Sequence, residues 1–412
     1  MQLKRVVVTG MGAISPFGKG VDLLMESLIK GKSGIVMVPE LKNIGGVRSH
    51  VAALVKDIDP GVIPRKHRRT MSRMSIYAVL ACQEALTQAE LSSEYRSGGN
   101  LGIAIGSTIV SIDTLQKFFE DYLIEKNMEQ MRSTTFFQIM NHSCAFNVSQ
   151  TLGINGRVIA PAAACSTGCQ AVGLTYEMIA FGKQDLMLCG GADEFHPLTT
   201  ASFDIINAAS IGYNDRPHQT PRPFDRDRDG IVCAEGCGIL LLESLESARK
   251  RGAAIFAEIT GFATTSNPQN IADPSAASME TCMRKALLDA GVEPQDIDYI
   301  NAHATATIRG DIEESRAIYE IFGKDVPVSS LKGHLGHTMA ASGSLELIAT
   351  INMMKRNCVI PTLNLENPDD LCKKINLVQK PENKPIQYAL KNNFALGGVN
   401  SSLILRSYEN DK

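Results

Sequence analysis

A cysteine in a run of small residues is the first feature of this sequence that could carry chemistry. The segment APAAACSTGCQAVG places Cys165 and Cys169 four residues apart, just before a stretch that favours a helix. A thiol at a helix N-terminus lies in the positive end of the helix dipole, which lowers its pKa towards neutral and favours the nucleophilic thiolate. Core packing, a metal or redox pair, and a nucleophile all remain open interpretations at this point.

Two histidines lie in comparable positions, each after a predicted strand and before a predicted helix. His303 lies in NAHATATIRGDIEE, and His337 lies in SSLKGHLGHTMAASG, which also contains Lys332 and His334. Two neutral imidazoles can donate hydrogen bonds to a carbonyl oxygen that becomes negative in a transition state. With a cysteine, they could bind an acyl group as a thioester and stabilise an enolate whose carbon attacks that thioester.

The spacing of these residues does not match a metal site. Cys165 and Cys169 lack zinc-knuckle spacing, and no matching second pair follows. His334 and His337 lie among glycines, which predicts a loop, and no nearby carboxylate completes a ligand set. No metal is expected. Composition and spacing alone therefore leave a Cys/His enzyme and simple core packing about equally favoured, with the reaction class open.

The composition excludes several other classes of protein. The chain has 412 residues and a formal net charge of -3, which gives no sign of a nucleic-acid-binding surface. No apolar run approaches the roughly 20 residues of a membrane span, and the N-terminus lacks a signal-peptide pattern. Ten scattered cysteines indicate reduced thiols. A cytoplasmic protein without nucleic-acid or membrane partners is expected.

The elements that must position these residues alternate between strand and helix, which predicts an α/β fold. Short apolar runs predict strands at the start of the chain and at 101–107, 185–193, 236–244, 256–263 and 297–303. Helices are predicted at 72–88, 137–152, 167–181, 275–290 and 345–355. Residues 217–230 are predicted to form an ordered surface loop. Sites in open α/β sheets form at strand ends, where the cysteine and histidines lie.

A faint internal repeat suggests two related halves. The segments RVVVTGMGAIS near the start and AEITGFATTS at 257–266 each combine a strand, a glycine and small residues. Each opens a stretch with a strand–helix–strand–helix pattern. The predicted halves are residues 1–250, which contain the cysteine, and 251–412, which contain the histidines.

Seven segments in this order resemble the elongating, type II-like β-ketoacyl-[acyl carrier protein] synthases of the thiolase superfamily. The resemblance covers nearly the whole chain and rests on VVVTGMGAISPFG, AAACSTG, GGADE, RPFDRDRDGIVCAEGCG, NAHATAT with Asp311 and Glu314, LKGHLGH, and FALGGVNSSL. It implies a thiolase-like five-layered αβαβα fold with two duplicated halves. It also implies decarboxylative condensation of a cysteine-bound acyl group with malonyl-[acyl carrier protein], an acyltransferase reaction that gives a 3-oxoacyl product.

The resemblance assigns roles to residues of this chain. Cys165 resembles the acyl-accepting nucleophile, and His303 and His337 resemble the pair that binds the malonyl-thioester carbonyl. Lys332 resembles the lysine that orders the catalytic site, and the backbone N–H groups of Cys165 and Leu396 resemble the oxyanion hole. The remaining implied positions are the acidic supports Asp311 and Glu314 and the substrate-binding residues Thr305, Thr307, Ile109 and Phe394.

Two histidines favour an elongating enzyme over its relatives. Initiating synthases usually replace the second histidine by asparagine, and thiolases use a second catalytic cysteine. The chain departs from the family at Ala304 and Ile308, where glycine and proline are usual. Its gating turn reads Phe394-Ala395-Leu396-Gly397-Gly398 instead of Phe-Gly-Phe-Gly-Gly. The pathway therefore stays open between fatty-acid synthesis and a specialised polyketide or aryl-polyene-like synthesis.

The resemblance also implies partners. No cofactor is expected in the enzyme itself, because the acyl carrier protein carries the phosphopantetheine. A homodimer is expected, or a heterodimer with a related ketosynthase-like subunit. The alternative function is a non-catalytic partner subunit like a chain-length factor, and Cys165 argues against it because such subunits lack the nucleophile. A basic cluster without acids is the predicted docking site for the acidic carrier: Arg65, Lys66, Arg68, Arg69 and Arg73.

Overall fold

Strands and helices alternate along the chain, as the sequence predicts. The computed structural model describes residues 3–129, 131–269, 271 and 273–408. The outer ends of the two predicted halves, 1–2 and 409–412, therefore lie outside the described residues. Among the described helices, none has both the length and the apolar character that a membrane crossing requires. All ten cysteines are unpaired thiols, in agreement with the prediction.

The first half of the chain builds five strands of the main sheet. Their spatial order is β6-β5-β7-β8-β1, with β5 parallel to β6 and β7, and β8 antiparallel to both β7 and β1. β2 forms a hairpin with β1, and β3 pairs separately with β4. The bounds are β1 (Val6–Ser15), β2 (Gly18–Lys19), β3 (Ile35–Met37), β4 (Val51–Ala53), β5 (Leu101–Gly106), β6 (Val158–Ile159), β7 (Leu186–Asp193) and β8 (Gly236–Ser244).

The second half repeats this arrangement. Its strand order is β13-β11-β10-β15-β16-β9, and β9 pairs with β1 to join the two halves. β10 runs parallel to β11 and β15, while β16 is antiparallel to β15 and β9. The bounds are β9 (Ala257–Ser266), β10 (Tyr299–Asn301), β11 (Pro327–Ser329), β12 (Cys358–Val359), β13 (Asn376–Leu377), β14 (Glu382–Asn383), β15 (Tyr388–Phe394) and β16 (Val399–Arg406).

The two halves therefore share one topology. β1, β5, β6, β7 and β8 correspond in order and direction to β9, β10, β11, β15 and β16. The repeat seen in the sequence, at the start of the chain and at 257–266, is the pair β1 and β9. These strands are buried because helices cover both faces of the sheet, which explains their near-continuous apolar runs.

Three layers of helices cover the two halves of the main sheet. α3 and α7 lie outside the first half, and α11 and α12 lie outside the second. α8 and α14 contact strands of both halves and each other, so they form the middle layer of a five-layered αβαβα fold, as predicted. The bounds are α1 (Val21–Ile29), α2 (Arg65–Arg68), α3 (Arg73–Gln88), α4 (Ser93–Ser97), α5 (Ile112–Phe119), α6 (Ser133–Gln138), α7 (Ser143–Leu152), α8 (Thr167–Ala180), α9 (Pro197–Ile205), α10 (Leu245–Lys250), α11 (Ala276–Ala290), α12 (Ile308–Phe322), α13 (Lys332–Leu335) and α14 (Ala340–Arg356).

Glycines bring the first turns of the two middle helices into contact. A Cβ atom on Gly168 would lie 2.4 Å from the carbonyl oxygen of Ala340, and one on Gly343 would lie 2.3 Å from the amide nitrogen of Cys169. Such distances exclude any side chain at either position. Because Cys165 directly precedes α8 and His337 precedes α14, this close approach brings the two residues together.

Three predicted segments differ from the structure. The helix predicted at 137–152 is interrupted by a turn in which the Ser143 N–H donates to the carbonyl of Met140, so α6 and α7 are separate. α14 begins five residues before the predicted position, because its small N-terminal residues have no apolar periodicity. The loop at 217–230 is largely buried. It is held against another segment of the chain by the Asp225 carboxylate, which accepts from the backbone N–H groups of Glu366 and Asn367.

Candidate functional site

Cys165 lies on a sharp turn between β6 and α8. A 3₁₀ turn spans Ala164–Ser166, and Ala164 has a φ of 47°, a conformation that residues other than glycine rarely adopt. The Ser166 hydroxyl lies 2.9 Å from the carbonyl oxygens of Asn393 and Val399 and ties the turn to β15 and β16. Cys169 is the third residue of α8 and packs within the apolar core. The two cysteines therefore lie in different surroundings, Cys165 on the turn and Cys169 in the core.

The two predicted histidines converge on this cysteine. His303 follows β10, and its ring centroid lies 5.3 Å from that of His337 in an edge-to-face arrangement. The Sγ of Cys165 and one ligand nitrogen of each imidazole all lie within 4.8 Å of one another. All three residues are buried. A group of three residues that are far apart in the sequence is therefore assembled at one point.

The surroundings of the two imidazoles favour their uncharged form. Burial, and then the positive charge of Lys332, lowers the pKa of both rings well below the usual histidine value. The Asn393 amide nitrogen lies 3.4 Å from Nδ1 of His303. Within the described residues, both ring nitrogens of His337 are buried without a hydrogen-bond partner. A buried donor without a partner is costly, so this ring is suited to a substrate oxygen.

The thiol of Cys165 is governed by two opposing effects. Burial raises its pKa to about 11, while the charge of Lys332 and backbone groups of Leu396 and of Cys165 itself favour the thiolate. The lowering expected from the helix terminus is therefore outweighed by loss of solvent. Leu396 and Cys165 supply the two backbone groups predicted to form the oxyanion hole, and that role stays a prediction.

Lys332 lies beneath the histidines in a cluster of buried charges. Its Nζ lies 2.8 Å from Oε1 of Glu346 and 3.1 Å from Oε2. The Nζ of Lys391 lies 2.8 Å from the same Oε2. All three side chains are almost completely excluded from solvent.

The two predicted acidic supports hold the backbone around His303. Glu314 accepts the N–H groups of His303 at 2.8 Å and Ala304 at 2.6 Å. Asp311 accepts the N–H groups of Ala306 at 3.1 Å and Phe224 at 2.8 Å. Both carboxylates come from α12, so this helix fixes the path of the chain that carries the histidine.

A cavity of about 540 Å³ leads to the thiol. Cys165, His303 and His337 line it together with Thr305, Thr307, Phe394 and Leu396. The hydroxyl oxygens of the two threonines lie 3.1 Å apart, and the Phe394 ring packs against His303 at 6.4 Å. The predicted substrate residue Ile109 does not line this cavity and is 48% exposed in the single chain.

The predicted docking cluster is only partly available to a partner. Arg65, Lys66 and Arg69 are exposed. Arg68 is half-buried and donates through Nε to the carbonyl of Ile63 at 2.8 Å. The guanidinium of Arg73 pairs with the buried carboxylate of Glu235. None of the cluster lines the cavity. Arg73 is thus engaged in an internal ion pair, which the sequence did not indicate.

A thiol and two imidazoles are also ligand types that zinc binds. The ammonium groups of Lys332 and Lys391 oppose this use, because two nearby positive charges raise the free energy of a divalent cation at this point. The geometry is therefore better suited to a nucleophile with two hydrogen-bond donors than to a metal centre.

Sequence reasoning missed Glu346, Lys391 and Asn393. Asn393 donates to the carbonyl of Cys165 and to the hydroxyl of Ser342, both at 3.1 Å. One signal was present: the polar triplet KNN ends an apolar strand just before a glycine-rich turn. Glu346 lies within a helix of small and apolar residues and gives no comparable local signal.

The comparisons with known proteins place this arrangement in a family. The profile described as "Beta-ketoacyl synthase, N-terminal domain" matches residues 3–248, and "Beta-ketoacyl synthase, C-terminal domain" matches 256–366. The chain is 34% identical to a protein named 3-oxoacyl-[acyl-carrier-protein] synthase 1 from Haemophilus influenzae, over 98% of this chain and 100% of that protein.

Solved structures give the same result. A beta-ketoacyl synthase from Burkholderia phymatum is 41% identical, with a TM-score of 0.95 over 98% of this chain and 100% of that chain. A ketosynthase, described in complex with a type II polyketide acyl-carrier protein and bound to a hexaketide, is 30% identical. Its TM-score is 0.91, over 99% of this chain and 100% of that chain. The cysteine turn, the paired histidines and these full-length matches lead to one conclusion: the chain belongs to the beta-ketoacyl synthase family and has its thiolase-like fold.

Proposed function

We propose that this protein condenses an acyl group held on Cys165 with malonyl-[acyl carrier protein] and so forms a 3-oxoacyl product. The observation that carries the proposal is the convergence of the Cys165 sulfur and the nitrogens of His303 and His337 within 4.8 Å, at the wall of a cavity of about 540 Å³. Intact-mass detection of an acyl group on the protein, followed by its transfer to the malonyl carrier, tests the proposal.

In the first half-reaction, the Cys165 sulfur attacks the carbonyl carbon of an acyl thioester. The new carbon–sulfur bond forms while the bond to the carrier thiol breaks, and the carrier leaves with the proton of Cys165. The oxygen becomes negative in between, and the N–H groups of Cys165 and Leu396 are the donors proposed for it. The buried thiol must lose its proton during this step, because at neutral pH its raised pKa keeps it protonated.

In the second half-reaction, neutral His303 and His337 donate to the thioester carbonyl of the malonyl group. The bond to the malonyl carboxylate breaks with release of carbon dioxide, and its electron pair forms an enolate. The enolate carbon then attacks the acyl carbonyl on Cys165, the carbon–sulfur bond breaks, and the thiol regains a proton. The unpartnered ring nitrogens of His337 support this role.

The arm of the carrier would reach the thiol through the cavity. The paired hydroxyls of Thr305 and Thr307 offer hydrogen bonds to the amides of a phosphopantetheine chain, and Phe394 and Leu396 border the acyl group. The phosphopantetheine belongs to the carrier, so the enzyme needs no cofactor of its own. Acylation assays with straight-chain, branched and polyunsaturated primers distinguish fatty-acid from specialised synthesis.

We also propose that the exposed basic residues dock the acidic carrier. Changing both Arg65 and Arg69 to glutamate should raise the KM for the malonyl carrier about tenfold and flatten its dependence on salt, because complementary charge steers the encounter. Turnover of a short pantetheine thioester should stay unchanged, since that substrate carries no acidic domain.

The matched control is the same charge reversal at Lys324 and Lys380, which are exposed and do not line the cavity. It should leave both substrates unaffected. If Arg65→Glu/Arg69→Glu damages both substrates equally, the cluster supports the fold and docking through it is refuted.

We propose further that two copies of the chain form a homodimer through the β6 edge of the main sheet. β6 pairs only with β5, and Val158 at this edge is exposed. Residues between 109 and 137 also expose large apolar side chains: Ile109, Phe119, Tyr122, Leu123, Ile124, Phe136 and Phe137. An open strand edge and exposed apolar side chains are both unfavourable in water, and we propose that a second copy covers them.

Light scattering should therefore give about twice the chain mass of 44.6 kDa. Leu123→Arg combined with Phe137→Asp should give monomers, because two charges would be buried in the interface. Leu288→Arg, at an exposed site elsewhere, is the control and should leave the dimer intact. A monomeric wild-type protein would contradict the homodimer and favour the heterodimer with a related subunit.

A further inference from the structure

Two buried lysines share one buried carboxylate below the proposed active site. Lys332 already satisfies Glu346 through contacts of 2.8 Å and 3.1 Å, and Lys391 adds a third contact of 2.8 Å. One ammonium group would be enough to neutralise Glu346. A second buried charge is costly, so Lys391 calls for a separate explanation.

Lys391 lies next to the strand end that contacts the reacting residues. Its Nζ also donates to the carbonyl of Asn392, whose side-chain amide lies 3.4 Å from Oε1 of Glu314. The following residue, Asn393, donates to the carbonyl of Cys165 and faces Nδ1 of His303. A continuous set of polar contacts therefore joins Lys391 to the backbone of both residues.

We propose that Lys391 is a positioning residue of the thiol–imidazole site, which fixes the end of β15 against Cys165 and His303 and adds a second ammonium group to the buried charges beside the two imidazoles. The inference rests on the function proposed above, because it deepens the role of the same site. Lys391 touches no reacting atom and acts through Glu346, Asn392 and the electrostatic potential at the rings.

The balance of charge around the rings explains the second lysine. Lys332 and Lys391 act on both rings, and Glu346 contacts both of these ammonium groups. The Cys165 sulfur lies within 4.8 Å of one nitrogen of each ring, and Glu314 accepts from the backbone N–H of His303. Further carboxylates are engaged elsewhere: Asp311 pairs with Arg228, and Asp193 accepts from the Ala340 N–H. Without Lys391, the carboxylates Glu314 and Glu346 would outnumber the single ammonium of Lys332. The nearby net charge would then be negative and would favour a proton on each imidazole.

The sign of the effect follows from this balance. A positive charge nearby disfavours the imidazolium, and Lys391 acts in this direction on both rings, after burial and Lys332. Removing it should raise the pKa of both imidazoles. A positive charge on either ring would stabilise the malonyl carboxylate, which loses its charge when it leaves as carbon dioxide, so activity should fall at the acidic end of the pH range first.

Lys391→Met tests this at nearly constant volume, while Glu346 keeps Lys332 as its partner. We expect the acidic fall of kcat/KM for malonyl decarboxylation to move to higher pH, so that at about pH 5 the variant loses roughly two- to threefold more of its plateau value than wild type. Lys391→Arg keeps the charge and should restore the wild-type profile, even if its plateau is lower. Lys355→Met, at an exposed position on α14, is the matched control and should leave the profile unchanged.

Titration of ¹³C-labelled histidines by NMR gives a second readout that needs no catalysis. The His303 and His337 signals, assigned from single histidine variants, should not titrate between about pH 5 and 8 in wild type. Their titration midpoints should move to higher pH in Lys391→Met and return to the wild-type position in Lys391→Arg. A wild-type protein without condensing activity would refute the proposed function, while this comparison would still test Lys391.

A lower melting temperature in Lys391→Met, with unchanged imidazole titration and an unchanged acidic limb, would overturn the proposal and assign Lys391 a purely structural role. If the methionine variant does not fold, Lys391→Gln and Lys391→Arg are compared in its place. A shift of the acidic limb of the pH profile in Lys391→Gln but not in Lys391→Arg supports the proposal. The same acidic limb in both variants refutes it.

Discussion

Replacing Cys165 by alanine should abolish acyl-enzyme formation and reduce condensation by at least about 10³-fold, the largest effect expected for any single change in this protein. The thiol is the only nucleophile among the described residues that line the cavity close to both His303 and His337. No neighbouring hydroxyl lies on the same turn with the same access, because the Ser166 hydroxyl is already bound to the carbonyls of Asn393 and Val399.

Cys169→Ala is the matched control. This thiol lies four residues further on, in the first turn of α8, but it is fully buried in the core and does not line the cavity. The control should keep acylation and lose about 1 kcal/mol of stability through the small cavity that it creates. Intact-mass measurement after incubation with an acyl carrier shows whether each variant gains the mass of the acyl group. A mass gain in Cys165→Ala, or its loss in Cys169→Ala alone, would show that the nucleophile has been assigned wrongly.

Replacing His337 by alanine should lower malonyl decarboxylation by roughly 10² to 10³-fold and leave acyl transfer to Cys165 at least partly intact. Burial and the Lys332 charge lower the pKa of the imidazole and favour its neutral form, which is the proposed hydrogen-bond donor to the malonyl carbonyl. Acyl transfer is proposed to depend instead on the sulfur and on the backbone N–H groups of Cys165 and Leu396, which this change does not remove.

His334 offers a control of the same residue type three positions earlier. It is also buried, but its two ring nitrogens lie 3.1 Å from the carbonyl oxygens of Lys32 and Pro361 and do not line the cavity. His334→Ala should lower the melting temperature without changing the ratio of the two half-reactions. Separate assays of carbon dioxide release and of acyl transfer measure that ratio. If His337→Ala reduces both half-reactions equally, the division of roles between thiol and imidazoles is incorrect.

Local patterns in the sequence predicted the α/β elements and placed Cys165, His303 and His337 at strand ends, and the resemblance to a family supplied the layered fold and the proposed roles of these residues. Short apolar runs identified β1, β5, β7 and β8, because buried strands need no alternation of polar residues. The small residues around Cys165 identified its turn, since only small side chains permit such close packing. The echo between the starts of the two halves predicted a duplication that β1 and β9 share.

Only the tertiary structure decided the electrostatics of the site. Glu346 joins Lys332 to Lys391, and Glu235 holds Arg73, through contacts between residues that are far apart in the chain and follow no local pattern. The pKa of Cys165 is raised because distant segments exclude water from it, which outweighs the helix terminus that the sequence revealed. Periodicity in a sequence reports which face of an element is buried, whereas charge and solvation act through space and depend on what covers that face.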